Sequence, residues 1–589
     1  MKLSNKKSTA LVLILLVTLT IGYLGLQIWS LSWYPFVHSD EVWLASLSRF
    51  MVSSGNLGVT EDFFVLTTRH PHGIKTLFHL LQGIFLIGSW SISTVRYLSL
   101  ISGLVSLVLF ALLTHLLLNQ MQIFSGLENT RIEKPIKSDT YETKSASRVF
   151  IVFFATLAWA LDPWFFLTAG FGRQESLILL FMMASLCTLL SGRIFLAGIL
   201  TGVSIFVHPN SFLIGWALLP WLFYDPKSSI SKALTIHSGT VRPLANDTGT
   251  ATLTNPWGQV RTYALTVAGF GIMAIGLSLW LDPQFFRNYL EFGLEVGVGA
   301  PPAGRIQGFF EYLHRMVTRT AGTYWIPPFG PSFWLMGISW VLHLVIHDWK
   351  SGSLSGQGFR TLGNVSLTLI AVSFALILIG KYSPTATVFL LPWGYLALVI
   401  LGRTKPILAL VLLSGVIGYN GFSLVQDLDR WNPKTSGIEF EANRYDRFIS
   451  EVKELVGPEA RVLGNLNTGF AFDQDRLRVI RDLGSLPPVE EGMRNLPVLE
   501  RPLGRFIQDQ NIGWLLFNQQ ELELIFTQRP LWNLVYGNPY RFYSDLVDLI
   551  SEYGTLVGVI HSPWYGQRLV PFMDRLDSKV MVYRLDMSK

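Results

Sequence analysis

The sequence predicts an α-helical polytopic membrane protein with a small soluble α/β unit at its C-terminal end. Three observations predict it: a series of long apolar runs, a scarcity of charge, and a change of composition near residue 425. Half of the 589 residues are hydrophobic and only 15% are charged, against about 25% charged in an ordinary soluble domain.

The first apolar run extends from about Ala10 to Trp29, behind Lys2, Lys6 and Lys7. It exceeds the roughly 7–15 residues of a signal-peptide core, and no small-x-small cleavage pattern follows it. It is expected to stay as an uncleaved span with its N-terminus in the cytoplasm. Further runs cover approximately 93–118, 148–166, 175–190, 194–207, 211–224, 262–281, 331–347, 363–380, 384–402 and 406–424. Read as helices crossing a hydrocarbon layer of about 30 Å, they make about eleven transmembrane helices.

The segment from Ile74 to Trp90 differs. Ile74, Leu77, Phe78, Leu81 and Phe85 recur at helical spacing, opposed by a polar stripe of Lys75, His79 and Gln82. Such a helix is expected to lie along an interface rather than to cross. Parity agrees. With this segment lying flat, the basic loops at about 119–147, 225–261 and 348–362 all fall in the cytoplasm, as the positive-inside rule requires. The exterior then receives the loop 31–92, the turn at 172–175, the loop 282–330 and everything after about 425.

The net charge of +6 resides mainly in those inter-span loops and gives no reason to invoke nucleic acid. Cys187 is the single cysteine, so no intrachain disulfide is available to an exported unit.

From about 425 the chain reads as a soluble domain, giving an expected division into 1–424 and 425–589. Helix-like stretches at 443–456, 503–510, 519–528 and 539–552 alternate with strand candidates at 461–463, 514–517, 555–560 and 580–583. That alternation predicts a small α/β fold.

Polar clusters at span ends carry the candidate chemistry, because ionisable groups at a membrane are costly and usually functional. His38-Ser39-Asp40-Glu41 follows the first span and opens a helical pattern. Asp40 and Glu41 there can complement a helix dipole, or serve as general base or metal ligand. Arg69-His70-Pro71-His72 and Lys75 follow in the same loop. Gly172-Arg173-Gln174-Glu175 opens a span on the same side, where Arg173 and Glu175 can pair with each other or meet a substrate. His208-Pro209-Asn210 ends a span, and Gly380-Lys381-Tyr382-Ser383-Pro384 forms a late exterior turn. The loop 282–330 adds Arg305, His314, Arg315 and Arg319 among aromatics, a pattern suited to a surface of anionic lipid. Asp473-Gln474-Asp475 reads as surface charge, and no GxGxxG or P-loop points to a nucleotide.

Taken in order, these parts resemble the polytopic glycosyltransferases of the C superfamily (GT-C). The likeness is nearest to the family 39 protein O-mannosyltransferases and the lipid A aminoarabinose transferases. It rests on a span, an exterior loop opening with Asp40-Glu41, a His-Pro-Pro-like element at His70-Pro71, a second interfacial helix and the Arg-Tyr-Leu-Ser run from Arg96 to Ser99. It covers roughly residues 10–220. The sequence departs at His72, where the family has a second proline.

The resemblance implies a polyprenyl-phosphate sugar donor, a membrane-lipid environment and an exterior active site in the plasma (inner) membrane, with inversion at the sugar. It makes Asp40 the base and Glu41 its acidic neighbour. Arg69, His70, Lys75, Arg173 and Lys381 would surround the donor phosphate, and His72, Glu175, His208 and Tyr382 would meet substrate. No cofactor is required, although Glu41, His70 and His72 offer a set for a divalent metal. The sugar and the acceptor are left unspecified. An oligosaccharide or O-antigen ligase, or a lipid or solute transporter, is the competing reading.

Overall fold

The computed structural model describes residues 5–35, 37–66, 70–129, 138–223, 256–295, 301–318, 335–342, 357–380, 384–431, 445–517, 542–561 and 579–588. The protein is predominantly helical, with one mixed sheet near the C-terminus. Nine helices fill the first part: α1 (Asn5–Ser30), α2 (Ser39–Ser54), α3 (Thr76–Leu86), α4 (Ile92–Asn129), α5 (Ser138–Ala160), α6 (Pro163–Ala169), α7 (Glu175–Leu190), α8 (Ile194–Ser204) and α9 (Phe212–Leu222). There follow α10 (Pro256–Leu281), α11 (Phe285–Glu295), α12 (Pro302–Thr318), a helical stretch at 335–342, and three long helices over Gln357–Ile379, Leu391–Thr404 and Pro406–Trp431.

Every expected apolar run carries a helix in whole or part among the described residues. Among the described residues, six helical segments are long and apolar enough to cross a membrane, and a bent pair, Ser147–Ala160 with Pro163–Ala169, makes a seventh if it is one span. α7 and α8 are apolar but shorter, at 16 and 11 residues. At about 1.5 Å per residue they rise roughly 24 and 17 Å. The expected number and direction of crossings can be tested with reporter fusions. Fusions near about residues 135, 240 and 355 should report the cytoplasm and one near about 430 the exterior. An exterior signal near about 135 would put Ile74–Trp90 across the bilayer.

The break between α5 and α6 has a local cause. Asp162 caps α6 by accepting from the backbone N–H groups of Trp164 and Phe165 at 2.9 and 3.4 Å, and Pro163 begins the helix. Its other oxygen accepts from the Tyr395 hydroxyl at 2.6 Å, and Asn420 in turn donates to Tyr395 at 2.8 Å. A fully buried carboxylate is thereby satisfied inside the bundle, where an unpaired one would be prohibitive. The two segments meet at 67°, and the chain leaving α6 runs directly into the turn at Phe171–Gln174.

In α3 the polar stripe is buried, and so is Phe78 of the apolar face. His79 and Gln82 are buried, whereas Ile84 is 59% exposed. Ser48 of α2 bonds both polar side chains, at 2.8 Å to His79 Nδ1 and 2.7 Å to Gln82 Oε1. Gly83 allows this close approach, since a Cβ there would meet the Ser48 carbonyl oxygen at 2.7 Å. Periodicity identified the two faces, and the Ser48 hydroxyl satisfies the polar one inside the structure.

The C-terminal part contains helices over Tyr445–Val456, Pro502–Asp509 and Tyr543–Tyr553, with strands β1 (Val462–Gly464), β2 (Leu477–Val479), β3 (Trp514–Phe517), β4 (Gly554–His561) and β5 (Lys579–Leu585). The sheet order is β2-β1-β3-β5-β4, parallel on the β1 side and antiparallel around β5. All four strand candidates formed, and β2 was missed. The expected helix at 519–528 lies outside the described residues. The helix over Pro406–Trp431 runs through the expected boundary at 425.

A hydrogen-bonded seam joins this unit to the loop after α2. Asp482 accepts from the backbone N–H groups of Val65 and Leu66 at 2.8 and 2.9 Å, and Asp62 accepts from Asp475 N at 2.9 Å. Trp90 donates to the Gly469 carbonyl at 3.0 Å and packs on Phe470, with ring centroids 4.6 Å apart.

Candidate active site

The site is built at the first turn of α2. His38 is its N-cap: the ring accepts from Asp40 N at 3.0 Å, while Glu41 Oε2 accepts from His38 N at 3.0 Å. This reciprocal cap fixes the backbone on which Asp40 and Glu41 stand. Successive helical residues point about 100° apart, and here the two carboxylates enter different environments.

Glu41 is fully buried against Arg96. Arg96 Nε and Nη2 each donate to a separate Glu41 oxygen at 2.8 Å, the planar fork of a bidentate pair. Gly172 N adds a bond to Oε1 at 2.8 Å, and Arg96 Nη1 reaches the Leu31 carbonyl at 2.8 Å. Glycine is needed at 172, where a Cβ would come within 2.5 Å of Val95 and 3.0 Å of the Glu41 carboxylate. Both Glu41 oxygens are thus engaged, and the side chain has no exposed surface.

Asp40 faces outward, its side chain 30% exposed. Its Oδ2 accepts from Arg173 Nη1 at 2.9 Å. The same guanidinium holds Glu175, with Nη2 at 3.2 Å from Oε1. Arg173 is rooted by its backbone, since Ser99 Oγ donates to its carbonyl at 2.9 Å. Glu175 begins α7, is 2% exposed, and also accepts from Thr385 Oγ1 at 2.8 Å. Its Oε2 and the neighbouring Gln174 Oε1 are buried acceptors without a hydrogen-bond donor among the described residues. The first loop, the α6–α7 turn and the start of the 384–389 segment therefore meet at one carboxylate–arginine–carboxylate cluster.

A second group gathers around the preceding loop. His70 Nδ1 lies 3.9 Å from Asp282 Oδ2, beyond the end of α10. Gly73 N donates to Ser278 Oγ of α10 at 2.8 Å. His72 packs edge-on to Tyr289, with centroids 5.5 Å apart. Lys75 caps α3 in a left-handed conformation, φ 82°. His208 caps the turn before α9 by accepting from Asn210 N at 3.0 Å. Arg69, Lys381, Tyr382, Arg319 and the side chain of Arg315 lie outside the described residues. Arg305 donates to the Leu378 carbonyl.

The suggested metal set does not fit. Glu41 is saturated by Arg96, Gly172 and His38, whereas His70 faces Asp282 and His72 faces Tyr289. No cluster of three His, Cys, Asp or Glu suited to a metal occurs among the described residues.

Burial, and then the charge of Lys75, pushes the His72 imidazole down to about 3. An unfolded histidine takes up its proton near about pH 6.5. Between those values the unfolded chain binds more protons, so this residue makes stability fall as pH drops from about 6.5 toward 3. His72→Gln is expected to flatten that part of the acid limb, read as unfolding midpoints at about pH 7 and about pH 4.5. An unchanged acid dependence would place the titration elsewhere.

Sequence reasoning quoted Arg96 without giving it a role, and it passed over Asp162 and Thr385. The Asp162-Pro163 pair is an N-cap followed by proline at the first helical position, so the α5–α6 break was readable. Nothing local foretells that Arg96 meets Glu41 or that Thr385 meets Glu175.

No protein-family model and no curated relative matches the chain. Among solved structures it is similar to ArnT from Cupriavidus metallidurans bound to undecaprenyl phosphate, at 12% identity over 98% of each chain with a TM-score of 0.48. It is likewise similar to the same protein in the apo state, at 11% identity, 98% of each chain and a TM-score of 0.48.

Proposed function

We propose that the chain is a GT-C-like membrane glycosyltransferase that moves a sugar from a polyprenyl phosphate to an acceptor outside the cytoplasm. The observation that carries this reading is the cluster itself: a partly exposed Asp40 and a buried Glu175 joined through Arg173 at one end of the helical bundle. An outward-facing carboxylate can accept a proton, a guanidinium matches phosphate oxygens, and buried acceptor oxygens suit sugar hydroxyls.

In this mechanism Asp40 takes the proton of an acceptor hydroxyl as that oxygen attacks the anomeric carbon. The bond to phosphate breaks on the opposite face, which inverts the centre. The departing phosphate carries the electron pair, and Arg173 stabilises its charge. Glu175 and Gln174 orient the sugar. Glu41 and Arg96 hold the backbone beneath Asp40. Lys75 and His70 serve the phosphate, and the resemblance adds Arg69 and Lys381 to that role. The active site and the unit after residue 425 face the exterior, in an enzyme that is multi-pass in the plasma (inner) membrane.

The test is transfer of label from a panel of polyprenyl-phosphate sugars in membranes carrying the protein. Release of free polyprenyl phosphate with a new glycosidic product supports the reading, and movement of intact lipid or solute without bond cleavage would replace it by a transporter. Whole-glycan rather than single-sugar transfer would identify a ligase.

A further inference from the structure

Arg173 is shared between two carboxylates that differ in everything but their partner. Glu175 is 2% exposed and has a second donor in Thr385. Asp40 is 30% exposed, at the more accessible edge of the cluster. The arginine itself combines a backbone held by Ser99 with a side chain 19% exposed, a rooted stem with an accessible tip. In this arrangement Asp40 Oδ2 accepts from Arg173 Nη1.

We infer that Arg173 is an exchangeable clamp on Asp40, released when the phosphate of a polyprenyl-phosphate donor takes the guanidinium. This rests on the function proposed above, in which Asp40 is the base and Arg173 meets the phosphate. A phosphate monoester or diester offers several anionic oxygens in the geometry that an arginine fork prefers, and it competes for the same N–H groups as Asp40. Asp40 is the carboxylate that leaves, because its side chain is 30% exposed and can turn toward solvent, whereas Glu175 is 2% exposed and bonded to Thr385. Its freed Oδ2 then accepts the proton of the acceptor hydroxyl. The exchange imposes an order: donor first, acceptor second. It also keeps the base occupied until a leaving group is in place, which disfavours attack by stray water.

The test is a double-mutant cycle on the full-length protein in lipid nanodiscs, with farnesyl phosphate as the probe and dissociation constants as the readout. Asp40→Asn removes the competing carboxylate and is expected to tighten farnesyl phosphate about tenfold, within the range of coupling between contacting charges. On an Arg173→Gln background the same substitution is expected to change affinity by less than about twofold. Equal tightening in both backgrounds would mean plain charge repulsion and overturn the clamp, as would no tightening at all. Should the glutamine variant not fold, Arg173→Lys keeps the charge without the fork, and the expected tightening is then smaller than with arginine present. The base assignment fails separately, on near-normal turnover of Asp40→Asn, whatever its affinity.

Discussion

Asp40→Asn is expected to lower the turnover of sugar transfer by about 10²–10⁴, the usual cost of removing a general base. The amide matches the carboxylate in size but cannot take the hydroxyl proton. The side chain is partly exposed, its helix is capped by His38 and Glu41 rather than by Asp40, and Arg173 retains Glu175. The variant should therefore fold and hold donor at least as well as the parent. The measurement is turnover at saturating donor on purified protein with a normal unfolding profile. Near-normal turnover would remove Asp40 as base.

Glu41→Gln is expected to act on stability rather than on chemistry, by about 3–5 kcal/mol, because it leaves the buried Arg96 charge without its partner. The carboxylate takes two bonds from that guanidinium and one each from Gly172 and His38, at zero exposure. An amide presents its NH₂ to at least one of these donors. Loss of folded yield, or a large fall in unfolding midpoint in detergent, is the result expected. A well-folded Glu41→Gln protein that is catalytically dead would instead assign Glu41 to the reaction. Two adjacent acidic residues thus separate cleanly, one read in a rate and the other in a melting curve.

Asp40 and Glu41 were equally conspicuous in the residue pattern, and only the family resemblance distinguished them. Helical spacing sends neighbouring side chains in different directions, but which direction is buried depends on Arg96, 55 positions away. Asp40 with Glu175 shows the same limit, since the bond through Arg173 spans 133 positions. What could be read were the local signals: the apolar runs, the helix beginning at Ser39, and the four strand candidates near the C-terminus. β2, Leu477–Val479, was missed because the charged Arg478 at its centre breaks the apolar run that would mark a strand. The polar stripe of α3 was seen correctly as a stripe. Its burial depends on Ser48, a partner on another helix that no local pattern reveals.

The seam between the first loop and the sheet also dictates a timetable. Val65 finds its acceptor in Asp482, 417 residues further along the chain. At about 5–20 residues per second, roughly 20–80 s of synthesis separate the two. Throughout that interval the nascent loop beside the candidate base lacks its C-terminal partners, although the membrane helices around it are already being inserted. Maturation of this end of the molecule is thereby delayed until Asp482 has emerged, although Arg96, Gly172 and Arg173 are available to the acidic pair much earlier.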